Sequence, residues 1–303
     1  MSAPKPCMAD LALVNGKVIT VDDKFSYAEA VSVKDGNIQA VGTTEEIKAF
    51  TGPDTVVVDL GGKTVMPGLY DSHLHVVGTG SSLQIINCRT PPMMSIADMK
   101  KAVAEKVKAS KPGEWILGRG WDQAKLSDGR NPSRWDLDEV SPDNPVVLTR
   151  TCGHLIVANS KAMEIGGISK DTPQPIGGVI VKDENGEPTG MLEEGPAMNM
   201  GRNQIPPEGI EDYMEQIKTA CEAFNAVGIT SVIDAGNTSD HMAAYQKLKK
   251  NGDLTVRINM MLAALQKSEP IENSVRRINE FPMLSGFGDE LLKFQGLKIL
   301  IDG

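Results

Sequence analysis

The sequence predicts an α/β protein in three parts: a small β unit, an inserted α+β subdomain, and a parallel sheet or barrel. Three observations lead there. Short apolar runs broken by Asn-Gly and Asp-Gly turns fill the first stretch, to residue 60. Pro and Gly are frequent between 166 and 209, which suits loops over one sheet. From 211 onward, short apolar runs alternate with longer helical patterns, the rhythm of strand–helix–strand units.

The elements follow in order. Residues 11–14 and 17–21 flank Asn15-Gly16, a strong hairpin signal, and are expected to pair. Residues 28–33 alternate, Asp35-Gly36 turns, and 38–42 pair back. A short helix over 45–50 is expected, capped by Thr43 or Thr44, with Glu45 and Glu46 in its first turn. Residues 55–60 add a strand, and the whole reads as a small antiparallel unit. After residue 75 the chain is not expected to enter a strand–helix repeat directly. Residues 96–110 are an amphipathic helix with Met99, Val103 and Val107 on one stripe. Strands are expected at 115–118, 145–149, 179–182 and 188–192, the last two joined through Asn185-Gly186. Residues 80–215 therefore read as the insertion. A helix over 210–227 carries Met214, Ile217 and Cys221, and Gly228 ends it. Strands at 229–234, 256–262 and 297–301 then alternate with helices at 240–250 and 271–281.

Composition narrows the function classes. A chain of 303 residues can bury a large core in one or two domains. Its net charge of −9 counts against nucleic acid or an anionic membrane surface as the main partner. No apolar run is long enough to span a bilayer, and residues 1–6 lack an apolar leader core. Cys7, Cys88, Cys152 and Cys221 are scattered and read as reduced thiols, so a cytoplasmic location is expected. Cys152 lies near a candidate site, where packing is the simpler role.

The chemistry concentrates at residues 64–75, which read as a buried run ending in His73-Leu74-His75. Residues two apart on a strand share a face, so both imidazoles would project together, about 7 Å apart along the strand. Two converging imidazoles can hold one divalent metal. Pro67-Gly68 breaks the chain just before the run, and Asp71 is placed to orient a histidine from behind. His241, in Ser239-Asp240-His241, reads as an exposed residue at a charged helix start.

Residues 66–75, Met-Pro-Gly-Leu-Tyr-Asp-Ser-His-Leu-His, resemble the first metal motif of the amidohydrolase superfamily. Gly118-Arg119-Gly120-Trp121-Asp122, the segment from His154 through Asn159-Ser160-Lys161-Ala162, and Gly190-Met191-Leu192-Glu193-Glu194 are similar to signatures of its YtcJ-like branch. That branch belongs to amidohydrolase family 3 and includes enzymes that hydrolyse N-substituted formamides. The resemblance implies a partial (β/α)8 TIM barrel with an N-terminal β-sandwich and an inserted α+β subdomain. The boundaries would be 8–66 for the sandwich part, 67–79 and 216–303 for the first half of the barrel, and 80–215 for the insertion. Four of eight strands are found, about 100 barrel residues against about 250 for a complete barrel.

The same resemblance implies the site. His73 and His75 would bind a divalent metal, expected to be zinc, as one ion or two. Lys298, in Leu297-Lys298-Ile299-Leu300-Ile301-Asp302-Gly303, matches the strand-four lysine that is often carboxylated and bridges metals. Burial favours its neutral amine, the form that takes up carbon dioxide. Trp121, Asp122, His154 and Glu194 match insertion residues expected to bind substrate, although Trp121 and Asp122 could equally cap a strand and His154 be structural. The catalytic base, an aspartate after strand eight, is expected beyond residue 303. The implied activity is hydrolysis of a non-peptide C–N bond in a small-molecule amide or formamide by metal-activated water. The alternative is a truncated, non-catalytic half barrel whose exposed strand edges invite self-association.

Overall fold

In the computed structural model, residues 7–264 and 270–299 are described. The chain divides into two compact units, Met1–Tyr70 and Asp71–Gly303.

The first unit holds β1 (Leu11–Val14), β2 (Lys17–Ile19), β3 (Tyr27–Ala28), β4 (Ala30–Lys34), β5 (Asn37–Gly42), α1 (Thr44–Lys48), β6 (Val56–Asp59) and β7 (Thr64–Val65). One sheet runs β5-β4-β1-β6 and another β3-β2-β7. The expected hairpin across Asn15-Gly16 does not form. β1 pairs antiparallel with β4 and parallel with β6, while β2 pairs with β3 and β7 in the other sheet. The unit is therefore mixed rather than purely antiparallel. Asn15 takes the left-handed conformation expected of a turn, φ 57°, but its amide donates to Thr44 Oγ1 at 3.0 Å and the turn carries the chain between sheets. Burial explains the choice, because Ala12 and Val14 pack with Ala30 and Ile47. The Asp35-Gly36 hairpin forms as expected between β4 and β5. Thr43 caps α1, with its amide donating back to Glu46 Oε2 at 2.8 Å.

The second unit follows β8 (Leu69–Leu74), with α2 (Val76–Gln84), β9 (Ile86–Asn87), α3 (Ile96–Ala109), β10 (Ile116–Trp121), α4 (Arg134–Asp138), β11 (Val146–Arg150), β12 (Leu155–Ala158), α5 (Ser160–Ile165), β13 (Val179–Lys182), β14 (Pro188–Glu193), α6 (Glu194–Arg202), α7 (Ile210–Ala226), β15 (Ile229–Asn237), α8 (Ser239–Asn251), β16 (Arg257–Ala263), α9 (Ile271–Glu280) and β17 (Leu292–Lys298). Two sheets organise them. A six-stranded sheet runs β13-β14-β12-β11-β10-β9, and a four-stranded sheet runs β8-β15-β16-β17.

In the four-stranded sheet β15, β16 and β17 pair in parallel. Alternation does the positioning: Ile258, Met260 and Leu262 of β16 are buried on one face and meet Ile217, Cys221 and Phe224 of α7 and Tyr245 and Leu248 of α8. Among the described residues the sheet has four strands and does not close on itself. The structure is thus a mixed α/β fold with several sheets.

Two expectations change here. α2 follows His75 directly, although Gly78 and Gly80 discourage a helix. It forms because α7 lies against it: a Cβ on Gly80 would fall 1.9 Å from the Gln216 carbonyl oxygen. The last strand begins at Leu292 and ends at Lys298, earlier than the 297–301 expected; residues 300–303 lie outside the described residues. Among the described residues no helix is long and apolar enough to cross a membrane.

Candidate metal centre

β8 delivers His73 and His75 to the rim of the four-stranded sheet, with ring centroids 5.7 Å apart and planes at 88°. His73 lies on the strand, and His75 sits where the strand hands over to α2. The His75 ring is fixed from behind, with Nδ1 2.5 Å from the Ala235 carbonyl oxygen. A carbonyl only accepts, so Nδ1 is the donor in this bond and Nε2 is the ring nitrogen left for a metal. That is the tautomer and the support a metal-bound imidazole ordinarily has. Asp71 Oδ1 accepts from the backbone amide of His73 at 3.0 Å, so it fixes the strand rather than either ring.

A buried carboxylate organises this rim. Asp234 on β15 accepts from the Val76 amide at 2.9 Å through Oδ1 and from the Tyr245 hydroxyl at 2.7 Å through Oδ2. Asn237 Nδ2 donates to the Asp234 carbonyl at 2.9 Å. Asp234 thus ties the start of α2, next to His75, to β15 and α8. Tyr245 is fully buried, and loss of water together with the nearby carboxylate pushes its phenol well above its ordinary range. The signal for Asp234 stood in the sequence, at the end of Gly-Ile-Thr-Ser-Val-Ile-Asp.

Beside this rim lies a cleft of about 300 Å³, lined by His75, Glu208, Tyr213, Asp234, Asn237 and His241 among others. His241 is therefore not the exposed residue its charged neighbours suggested. Thr238 Oγ1 accepts from the His241 amide at 3.3 Å, which starts α8 and turns the ring inward, where it meets Tyr213 edge-on at 4.6 Å. Burial lowers its proton affinity, partly opposed by Asp234, Asp240 and Glu208. Its place in the first turn after a strand end was the available clue.

Lys298 is the last residue of β17, half-buried, opposite Ala263. β17 and β8 are the two edges of the sheet. Among the described residues no third His, Cys, Asp or Glu joins the imidazole pair.

The four insertion residues occupy other places. Trp121 is wholly buried among Met99, Leu137 and Leu148. Asp122 accepts from the Ala124 amide at 3.2 Å and from Arg150 Nη2 at 3.4 Å. His154 Nδ1 and Glu194 Oε2 are 3.1 Å apart, both exposed. None of the four lines either cleft bordered by His75. The second of these clefts, about 660 Å³, includes Thr79, Asn87, Arg89, Arg119 and Thr151 with His75. Sequence reasoning passed over Arg89 and quoted Arg119 only within the signature at 118–122, without a role. All four cysteines are free thiols. Burial pushes the Cys88 and Cys221 thiols up to about 12 and about 11, so neither is a nucleophile.

Comparison with known proteins places the chain in a family. The model of the amidohydrolase family matches residues 56–303. An N-substituted formamide deformylase of Arthrobacter pascens is 34% identical over 255 residues, covering 82% of this chain and 46% of that protein. A protein named as amidohydrolase YtcJ in Bacillus subtilis is 32% identical over 294 residues, covering 95% and 53%. An uncharacterized metal-dependent hydrolase from Pyrococcus furiosus superposes with a TM-score of 0.71 at 27% identity, covering 97% of this chain and 56% of that one. The chain spans about half the length of these relatives.

Proposed function

The chain belongs to the amidohydrolase family, and we propose that it carries the histidine half of a metal centre that hydrolyses a non-peptide C–N bond, in an amide or N-substituted formamide. The observation that carries this reading is the bond between His75 Nδ1 and the Ala235 carbonyl, which leaves Nε2 as the nitrogen to meet a metal, with the His73 ring 5.7 Å away.

The donor set fits a divalent cation, with His73 and His75 as two ligands and Lys298 as the third. Zinc suits an imidazole-rich set with one oxygen donor, which Lys298 becomes once carboxylated. When bound, the metal would polarise the substrate carbonyl and make water a nucleophile at neutral pH. This chain's own residues hold the imidazoles in place: Asp234 through Val76, Ala235 through the ring, and Asp71 through the strand. His241, kept neutral by burial, can accept or donate one proton in the cleft it shares with His75. In a flat sheet the edges β8 and β17 would stand roughly 14 Å apart. A shared metal therefore requires the sheet to curl, and this reading takes residues 67–79 and 216–303 as the first half of a (β/α)8 barrel with 80–215 inserted. In the related deformylase the N-substituted formamide is the substrate; here a formyl or small acyl group on an amine is the proposed class.

Elemental analysis of purified protein tests the ligands. Replacing His73 and His75 together by Ala should remove the bound metal, and Lys298→Ala should lower its stoichiometry or affinity. Unchanged metal content in the double variant rules out the histidine pair.

A further inference from the structure

The insertion holds six arginines, and they fall into two sets. Arg130 grips Asp136 through two bonds of 2.8 Å, Arg134 lies 3.8 Å from Glu187, and Arg150 lies 3.4 Å from Asp122. Arg89, Arg119 and Arg202 have no carboxylate partner among the described residues. The chain carries 40 acidic residues against 31 basic ones, so unpaired guanidiniums gathered in one place are not what chance distribution supplies.

The gathering is built into the sheet. Arg119 on β10 stands opposite Asn87 on β9 and Thr149 on β11. Opposed residues in a sheet share a face, so these three form one polar row. Arg202 reaches the same row from α6, donating from Nη2 to Thr149 Oγ1 at 2.7 Å. Burial lowers its hold on its proton, and the like charge of Arg119 lowers it further, so the two guanidiniums feel each other. Gly120 brings the third cation in. Its φ is +114°, and a Cβ there would fall 2.6 Å from Arg89 Cγ. The absence of that Cβ lets the backbone and Cγ of Arg89 pack against β10 at Gly120. Arg89 and Arg119 both line the second cleft, where Asn87, Thr79 and Thr151 add neutral donors and His75 closes the list on the metal side.

A cleft that joins two uncompensated guanidiniums to a metal-ligand histidine selects a molecule with an anionic end. We propose that Arg89 and Arg119 form a carboxylate-binding subsite, so that the substrate is an acylated amine carrying a carboxylate beyond its scissile amide. The substrate assignment rests on the hydrolytic reading of the His73–His75 rim. The planar fork of each guanidinium matches a carboxylate through paired N–H donors, and Arg202 behind them raises the local positive potential.

The test uses the full chain stripped of metal with chelator, so that a carboxylate cannot simply ligate the cation. N-benzoylglycine and its neutral counterpart N-benzoylglycinamide are titrated by calorimetry. The acid should bind about tenfold or more tighter than the amide, as expected for hydrogen bonds to a charged group. Arg119→Gln and Arg89→Gln should each erase most of that preference, Arg119→Lys should keep part of it, and circular dichroism should match the parent in all three. Equal affinity for acid and amide overturns the subsite, as does a preference that survives both Gln variants. Inorganic phosphate that displaces the acid at a concentration below the acid's own dissociation constant overturns the assignment to carboxylate. Because the metal is absent, loss of the histidine reading would leave this result standing, and failure here would leave the histidine reading intact.

Discussion

At the rim of the four-stranded sheet the buried carboxylate of Asp234 has a backbone amide and a phenol as partners. On the face of the six-stranded sheet, Arg89, Arg119 and Arg202 have no carboxylate among the described residues. Both regions place charge near His75, but they spend it differently. A satisfied buried network fixes geometry, because each bond lost leaves another group unpaired in a low-dielectric interior. Cations without counter-charge fix nothing; they raise a potential that an incoming anion can use. The first region therefore reads as a support for ligands that must not move, and the second as a surface that waits for a partner. The variants below change one region and ask whether the other follows.

The largest effect should come from Asp234→Ala. It leaves the fully buried Tyr245 hydroxyl and the Val76 amide without acceptors. Leaving a buried polar group without its partner costs roughly 1–3 kcal/mol, and here there are two such groups. Urea unfolding should show that loss as a lower midpoint with an unchanged slope. In protein that survives, the metal affinity of the rim should fall about 10–100-fold, as when the support behind a metal ligand is removed. The anion preference at Arg119 should not change. A parent-like unfolding midpoint would mean that the network decorates the rim without holding it.

Gly80→Ala should cost less, about 1–3 kcal/mol, because a methyl group there meets the Gln216 backbone and α2 must shift off α7. Gly78→Ala is the internal control. Its nearest neighbour is His75 Cβ at 3.6 Å, an ordinary contact, so the gain in helix propensity should leave stability equal or higher by about 0.5–1 kcal/mol. If thermal melting ranks the two variants the other way round, the close approach of α2 to α7 is not what seats His75.

The unequal legibility of these features has physical causes. The approach of the two histidine rings was readable because period-two spacing on a strand is a local fact. α3, α7, α8 and α9 were readable because their periodicity lies within a few residues, whereas α4, α5 and α6 were not expected. The Asn15-Gly16 hairpin was misread: the chain bends there, but the partners of β1 and β2 are chosen by burial of Ala12, Val14 and Val18, which no dipeptide encodes. α2 was hidden because Gly80 is explained only by the backbone of α7, more than 130 residues away. The start of β17 was masked by Lys293, Gln295 and Gly296, which interrupt the apolar run although Leu292 and Phe294 are buried. Arg89 and Arg202 left no trace, and Arg119 appeared only inside the signature at 118–122 without a role, since a lone arginine in a sequence reads as a solvated side chain whatever it faces.

The smallest effect concerns an arginine of the insertion that does have a partner. Arg130 holds Asp136 with two bonds, and Ser133 adds its amide at 2.8 Å and its hydroxyl at 2.7 Å, so the carboxyl is drawn down to about 2, with Arg130 the main cause. The folded carboxyl thus releases its proton more readily than the unfolded one, whose value lies near 3.8. Stability from this cluster is fully present above 3.8 and drains away as pH falls toward 2. Arg130→Gln should raise the folded value toward 3.8, so that the loss is complete at a higher pH and the total available to lose is smaller. Arg130 is half exposed, so salt should mute the difference. Carboxyl chemical shifts of Asp136 followed by NMR through acid titration report this directly. An unmoved titration in Arg130→Gln would assign the shift to Ser133 alone, and the contrast between paired and unpaired arginines would then rest on Arg134 and Arg150.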